Sequence, residues 1–179
     1  KKTKLEEYVR INRNGKYALR FKLDGDSLVN VRTGTDESAI VMISSTGFAS
    51  RFACSDIRSS GRVSAGVYGI KTGNRKNADG GHVVGMMSTE NTDTQILTIT
   101  RNGMAKRSRL GTADKIPDLD ADGNQKVDAD TGEGKMRTDG YRKTKPGAKG
   151  AYTMNLDLEN GDYIISARQI PNLDDNLFL

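Results

Sequence analysis

The chain has 179 residues, 35% of them hydrophobic and 28% charged, with 20 glycines, three prolines and no tryptophan; it can bury a core, and the glycine count and the scarcity of leucine heptads disfavour a long helical bundle. No apolar run reaches the roughly 18 to 20 residues of a membrane span and Lys1 to Glu7 hold no signal-peptide core, so a soluble cytoplasmic protein is expected. Cys54 is the one cysteine and His82 the one histidine, which argues against a disulfide or a zinc site, while 28 Lys and Arg against 23 Asp and Glu favour a polyanionic partner.

In chain order, Tyr8 to Phe21 predicts a β-hairpin with its turn at Asn14-Gly15. Asp24-Gly25-Asp26 then leads into a short apolar strand ending at Val31. The hairpin pattern returns at Ile40 to Phe52 around Gly47, and again at Ile96 to Arg107 around Asn102-Gly103. These turns suit the positive φ values of two-residue hairpin loops. A glycine-rich element follows in Gly61 to Lys71 and Lys145 to Asn155, and the turn-to-strand element returns at Asp79 to Met86 and Asn160 to Ala167. Gly47 to Gly103 spans 56 positions and Gly25 to Gly80 spans 55, the size of a four-stranded blade. An ordinary sandwich explains one such hairpin more easily than three ordered elements recurring together. The expectation is an all-β, propeller-like chain over 1–179 with about three blade units, the first incomplete.

Charge recurs with the repeat. Gly47 to Lys76 holds Arg51, Arg58, Arg62, Lys71, Arg75 and Lys76 against Asp56. Arg101 to Leu110 holds Arg101, Lys106, Arg107 and Arg109 with no acid, and Lys135 to Gly150 holds six cations including Arg142, Lys143, Lys145 and Lys149 against Asp139. In a blade assembly these clusters fall along one rim. Such an array suits phosphates, because each neutralised phosphate releases counterions whatever the base sequence. The expected DNA-contacting residues are Arg51, Arg58, Arg62, Lys71, Lys106, Arg107, Arg109, Arg142, Lys143, Lys145 and Lys149. A merely solvated basic surface is the plainer reading, which the recurrence disfavours.

Asp114 to Glu133 breaks this pattern with seven acids against Lys115 and Lys126. It lies in an insertion over about 112–137, since Gly103 to Gly150 spans 47 positions where Gly47 to Gly66 spans 19. Asp118, Asp120 and Asp122 followed by Gly123 match the opening of a calcium loop, with Asp128 as a further donor at altered spacing. Position 12 of that loop is Ala129 in place of an acid. A disordered acidic loop is the preferred reading, calcium the alternative. The last residues, 171–179, form a short acidic tail.

The chain carries no nucleophile motif. His82 sits before Val83-Val84 as at a strand start, Cys54 reads as a small buried side chain, and the glycines lack a P-loop's Gly-Lys-Ser/Thr ending.

Ser59 to Lys71, His82 to Met86 and Gln95 to Arg107 resemble, in order, the basic loop, Val-Val-Gly strand and Ile-Leu-Thr-x-Thr-x-Asn-Gly hairpin of the C-terminal domain of the A subunit of DNA gyrase and topoisomerase IV. The likeness runs over about 8–110 and resumes over about 138–170. It implies a β-pinwheel, a ring of strand-exchanging blades whose basic rim binds and bends duplex DNA. It also implies that no tyrosine here cleaves DNA, because that residue belongs to an upstream domain. The implied partners are double-stranded DNA, the A-subunit core and the B subunit, with no membrane; magnesium and ATP belong only to the parent holoenzyme. Family members usually carry more blades than this length allows, so a short member or part of a longer protein is expected. Gyrases carry a Gln-Arg-Arg-Gly-Gly-Lys-Gly box, to which Tyr141 to Gly150 is a loose relative with Pro146-Gly147-Ala148 in its middle; gyrase and topoisomerase IV both stay open. The expectation is a non-catalytic DNA-wrapping domain, needing no cofactor of its own. The alternative is a calcium-stabilised β-repeat module that binds protein or glycan.

Overall fold

Alternating apolar runs punctuated by glycine turns build nine strands among the described residues. In a computed structural model of the chain, which describes residues 1–10, 12–72 and 80–170, these are β1 (Ala39–Ser44), β2 (Phe48–Ala53), β3 (Val83–Thr89), β4 (Gln95–Thr100), β5 (Ala105–Arg109), β6 (Lys115–Pro117), β7 (Met136–Thr138), β8 (Ala151–Tyr152) and β9 (Ile164–Ile170). The described residues contain no α-helix, only the short 3₁₀ turns Leu5–Tyr8 and Cys54–Asp56. A four-stranded sheet runs in the order β3-β1-β2-β8, a three-stranded sheet β5-β4-β9, and a two-stranded ribbon β6-β7. The expected all-β architecture is present, and neither larger sheet closes on itself.

The two sheets repeat one plan. Each starts from a hairpin, β1-β2 or β4-β5, and adds the later strand β3 or β9 to the first strand of that hairpin. β8, from the unit that follows, completes the first sheet by pairing Phe48 with Tyr152 and Ala49 with Ala151. This is strand exchange between successive units.

Both hairpins form, with three-residue loops in place of the expected two. Gly103 N–H donates to the Thr100 carbonyl at 3.1 Å while Thr100 N–H donates to the Met104 carbonyl at 2.8 Å. Gly103 takes φ 85° and Gly47 φ 86°, whereas Asn102 keeps a negative φ. A type I turn closed by one left-handed glycine satisfies the ladder without a second strained residue. The Asp79 turn falls outside the described residues.

The hairpin expected over Tyr8 to Phe21 is absent. Leu5–Tyr8 is a 3₁₀ turn, the Gly15 N–H closes a single turn on the Asn12 carbonyl at 2.8 Å, and no described residue from 12 to 34 lies in a strand. Tyr17 is 84% exposed, with Leu23 and Val31 also in solvent. An isolated two-stranded hairpin is marginal in water, and nothing described pairs with this one.

The core lies between the two larger sheets. Val41, Ile43, Ala49 and Met87 of the first meet Ile96, Ile164 and Ala167 of the second, with Leu110, Tyr141 and Met154 from the connections. Burying each large aliphatic side chain contributes about 1.5 to 3 kcal/mol. The sheets approach closely at Gly85, where a Cβ would stand 2.6 Å from the Ala167 carbonyl oxygen. Tyr141 Oη and Thr153 Oγ1 hydrogen-bond inside this layer.

The insertion is ordered, contrary to the loop expected. Lys115 pairs with Thr138 and Pro117 with Met136 to form a stem. Beyond it the chain makes two small turns, bridged at Leu119 with Gln125 and at Val127 with Gly134. Their bases meet through Lys126 N–H to the Asp118 carbonyl at 2.8 Å and Asp118 N–H to the Lys135 carbonyl at 2.9 Å.

Candidate nucleic-acid interface

Register decides which basic residues reach solvent. Arg51 stands opposite Val41 on the core-facing side of β2 and is 3% exposed. Its Nη1 donates to the carbonyls of Leu110, Gly111 and Tyr141 at 3.1, 2.8 and 3.0 Å. Gly111 and Gly140, both at positive φ, let the two chain segments cross closely enough for one guanidinium to serve both. Burial pushes the Arg51 pKa down from its ordinary value, and the group stays charged. The expected rim contact at Arg51 is thus corrected to an internal clamp.

The loop over 141–150 gathers charge that the sequence holds far apart. Arg142 Nη2 donates to the Gly150 carbonyl at 2.9 Å, closing the loop on itself. Gly147 N–H donates to the Gly69 carbonyl at 2.9 Å and Lys71 N–H to the Ala148 carbonyl at 3.2 Å. These bonds set exposed Lys71 beside the loop that carries exposed Arg142, Lys143 and Lys145. Lys149 Nζ lies 4.1 Å from the centre of the Phe48 ring, which packs against Tyr152 at 4.3 Å. Its charge is therefore held at the surface by an aromatic pair.

Arg58 is exposed, and Arg62 donates from Nη1 to the Tyr17 carbonyl at 3.1 Å. These two sit beside the irregular N-terminal segment, where the Lys1 ammonium also meets the Arg62 carbonyl. Arg75 and Lys76, counted in the same cluster, lie outside the described residues, as do Asp174 and Asp175 of the acidic tail.

On β5 the expected cations divide between two faces. Lys106 pairs with Thr98 and reaches inward, its Nζ donating to the Thr153 carbonyl at 2.8 Å. Arg107 pairs with Leu97 on the opposite face, and across β4 Leu97 also pairs with Arg168. Arg109 bonds Asp93 at 2.7 Å and lies 3.6 Å from Asp139. Asp139 accepts the Thr112 N–H at 2.8 Å; that bond, then Arg109, the Thr112 hydroxyl and Arg137, hold its carboxyl below the usual range. The sequence reading missed Arg137 and Arg168 as surface cations beside Lys106 and Arg107. Arg137 lay within a counted basic cluster, whereas the position of Arg168 depends on a β4-β9 register that no local pattern shows.

The acidic side chains serve the turns one by one. Asp118 pairs with Lys126 at 3.3 Å. Asp120 accepts the N–H groups of Asn124 at 2.9 Å and Asp122 at 3.0 Å, which lower its pKa with the Asn124 bond first. Asp128 accepts from Asp130 and Thr131 at 3.0 and 3.2 Å and faces Lys135 at 3.8 Å. Asp122 is exposed. Among the described residues no three His, Cys, Asp or Glu side chains gather as a metal site requires, so the four aspartates expected around calcium do not converge. His82 and Ser45 exchange bonds at the start of β3, with His82 N–H on Ser45 Oγ at 3.1 Å.

Comparisons with known proteins agree with this architecture. The family described as the DNA gyrase C-terminal domain, a β-propeller, matches residues 1–33, 39–90, 94–118 and 135–171, leaving the acidic turns outside the match. The DNA gyrase A protein of Metamycoplasma arthritidis is 32% identical over 157 residues, which are 88% of this chain and 14% of that protein. The DNA gyrase A protein of Escherichia coli K12 is 36% identical over 110 residues, 62% of this chain and 12% of that protein. The chain thus spans roughly an eighth of the curated relatives it matches. The crystal structure of the C-terminal domain of DNA topoisomerase IV superposes with a TM-score of 0.56 at 20% identity, covering 94% of this chain and 57% of that one. No helix of the described residues is long and apolar enough to cross a membrane. With its strand-exchanged sheets and a family match over most of its length, the chain belongs to the DNA gyrase C-terminal domain family.

Proposed function

We propose that this domain binds duplex DNA through phosphate contacts and bends it, as a non-catalytic part of the A subunit of a cytoplasmic topoisomerase. One observation supports the reading: main-chain bonds join the Lys71 segment to the loop that carries Arg142, Lys143, Lys145 and Lys149, cations of two separate units. A rigid curved array of cations attracts phosphates whatever the sequence, and each contact releases counterions. No described helix offers side chains to base edges, so readout is by shape and bending. In the parent enzyme the bent segment would be presented to the A-subunit core and to the ATP-using B subunit.

The test is a titration of the 179-residue chain onto a duplex of roughly 40 base pairs labelled at both ends, at several salt concentrations, following anisotropy and end-to-end energy transfer. Salt-sensitive binding with the ends drawn together supports wrapping. Binding without approach of the ends leaves an anchor and removes the bending claim. No binding at low salt overturns the reading.

A further inference from the structure

Beside the basic residues 106–109 on β5 lies a cleft that reaches Tyr141 and Ala151, which flank the 142–150 loop. Its lining includes Lys106, Ser108, Arg109, Arg137, Asp139 and Tyr152, in an open space of about 430 Å³. We propose that this cleft seats a DNA phosphate, with Arg137 from the stem of the acidic insertion as its principal contact. The proposal rests on the duplex-binding reading above and adds to it a site built in part by the insertion.

Charge and geometry favour an anionic guest. Three cations face one carboxylate, and that carboxylate is already occupied by the Thr112 N–H and by Arg109. Lys106 is committed to the Thr153 carbonyl and Arg109 to Asp93 and Asp139. The Arg137 side chain makes no hydrogen bond or ion pair among the described residues, its charge reaching Asp139 only through space, so its guanidinium fork remains available for two phosphate oxygens. Tyr152, 66% exposed, forms the wall towards Phe48 and Lys149. A strand of DNA crossing the cleft would run from Lys106 and Arg109 past Arg137 towards Tyr152.

The stem fixes Arg137 there. Ile116 pairs with Arg137 in the β6-β7 ribbon, and Lys115, one position before Ile116, is an exposed cation that does not line the cleft. Lys115 therefore provides a control of equal charge change on the same ribbon.

The experiment measures binding of the whole chain and of Arg137→Gln, Arg137→Lys and Lys115→Gln to the labelled duplex across a salt series. The expected result is a several-fold loss for R137Q, with the slope of log K against log salt shallower by about 0.9, the value for one phosphate. R137K should recover part of the loss, and K115Q should stay near the parent. If the parent binds and R137Q matches K115Q in affinity and slope, the cleft proposal is overturned while the duplex-binding reading stands. If the parent fails to bind at low salt, the duplex-binding reading itself fails and takes the cleft with it.

Discussion

Arg51 Nη1 lies 3.0 Å from the carbonyl oxygen of Tyr141, so the second strand of one unit holds the start of the basic loop of the next. Replacing Arg51 with Ala leaves the Gly111 and Tyr141 carbonyls without that donor and the Leu110 carbonyl with only the Tyr141 N–H at 2.9 Å; each buried carbonyl left unpaired costs about 1 to 3 kcal/mol, less whatever relaxation recovers. The expected stability loss is about 3 kcal/mol, or about 6 to 12 °C in Tm for a chain of this size. Urea and thermal melts check it; a change under about 1 kcal/mol would remove the clamp assignment.

Lys143 and Lys145 offer the contrast, since both are exposed and their side chains have no partner among the described residues. Changing both to Ala should leave the melting curve within about 1 °C while reducing the salt slope of duplex binding by about 1.8. R51A should instead bind normally per folded molecule. An unchanged slope in the double variant would move the interface away from the 141–150 loop.

What could be read from sequence follows from how local each determinant is. β1-β2, β4-β5, β3 and β9 were visible because alternation and left-handed glycines act within a few residues, as at Ile40 to Gly47 and Ile96 to Gly103. The basic clusters were visible for the same reason. Arg51 looked like any rim cation because its fate depends on register opposite Val41 and on carbonyls 59 to 90 positions away. The failed hairpin over Tyr8 to Phe21 has the right pattern and no described neighbour to pair with. The insertion's order lies in main-chain bonds between Asp118, Lys126 and Lys135, whose side chains read only as charge.

Gly150 and Gly123 separate conformational cost from steric cost. Both hold positive φ, 85° and 88°, but a Cβ at Gly150 would overlap the Ala49 carbonyl, whereas at Gly123 nothing lies within 4 Å. Gly123→Ala should therefore cost about 1 kcal/mol from backbone strain alone. Gly150→Ala should cost more than about 3 kcal/mol, because β8 must move away from β2. Parallel denaturant titrations decide it, and equal costs would contradict the close β2-β8 approach.

Asp139 gives the domain a defined acid response. Its folded pKa is depressed by the Thr112 N–H first and by Arg109 and Arg137 after it. A depressed carboxylate contributes stability above its unfolded pKa of about 3.9 and loses it as pH falls through the folded value. The Tm gap between the parent and Asp139→Asn should be full above about pH 5 and shrink below about pH 4. A gap that stays constant from about pH 6 to about pH 2.5 would show that the carboxylate charge is not what matters at this position.

The acidic turns beyond the β6-β7 stem form a compact block of negative charge attached to a positive surface. Asp118 to Lys135 holds six acids and two lysines, so replacing that stretch with Asn-Gly raises the formal net charge from +5 to +9. The stem pairs Pro117 with Met136, so a two-residue turn can close it directly. None of the removed side chains belongs to the core cluster, and core stability should be unchanged. Duplex affinity should rise at low salt, and the gain should fade as ionic strength shortens the screening length from about 30 Å at 0.01 M to about 8 Å at 0.15 M. A gain that persisted at high salt would mean that the turns block the surface sterically. A loss of affinity would mean that the insertion contributes contacts beyond Arg137, which the shortened ribbon retains.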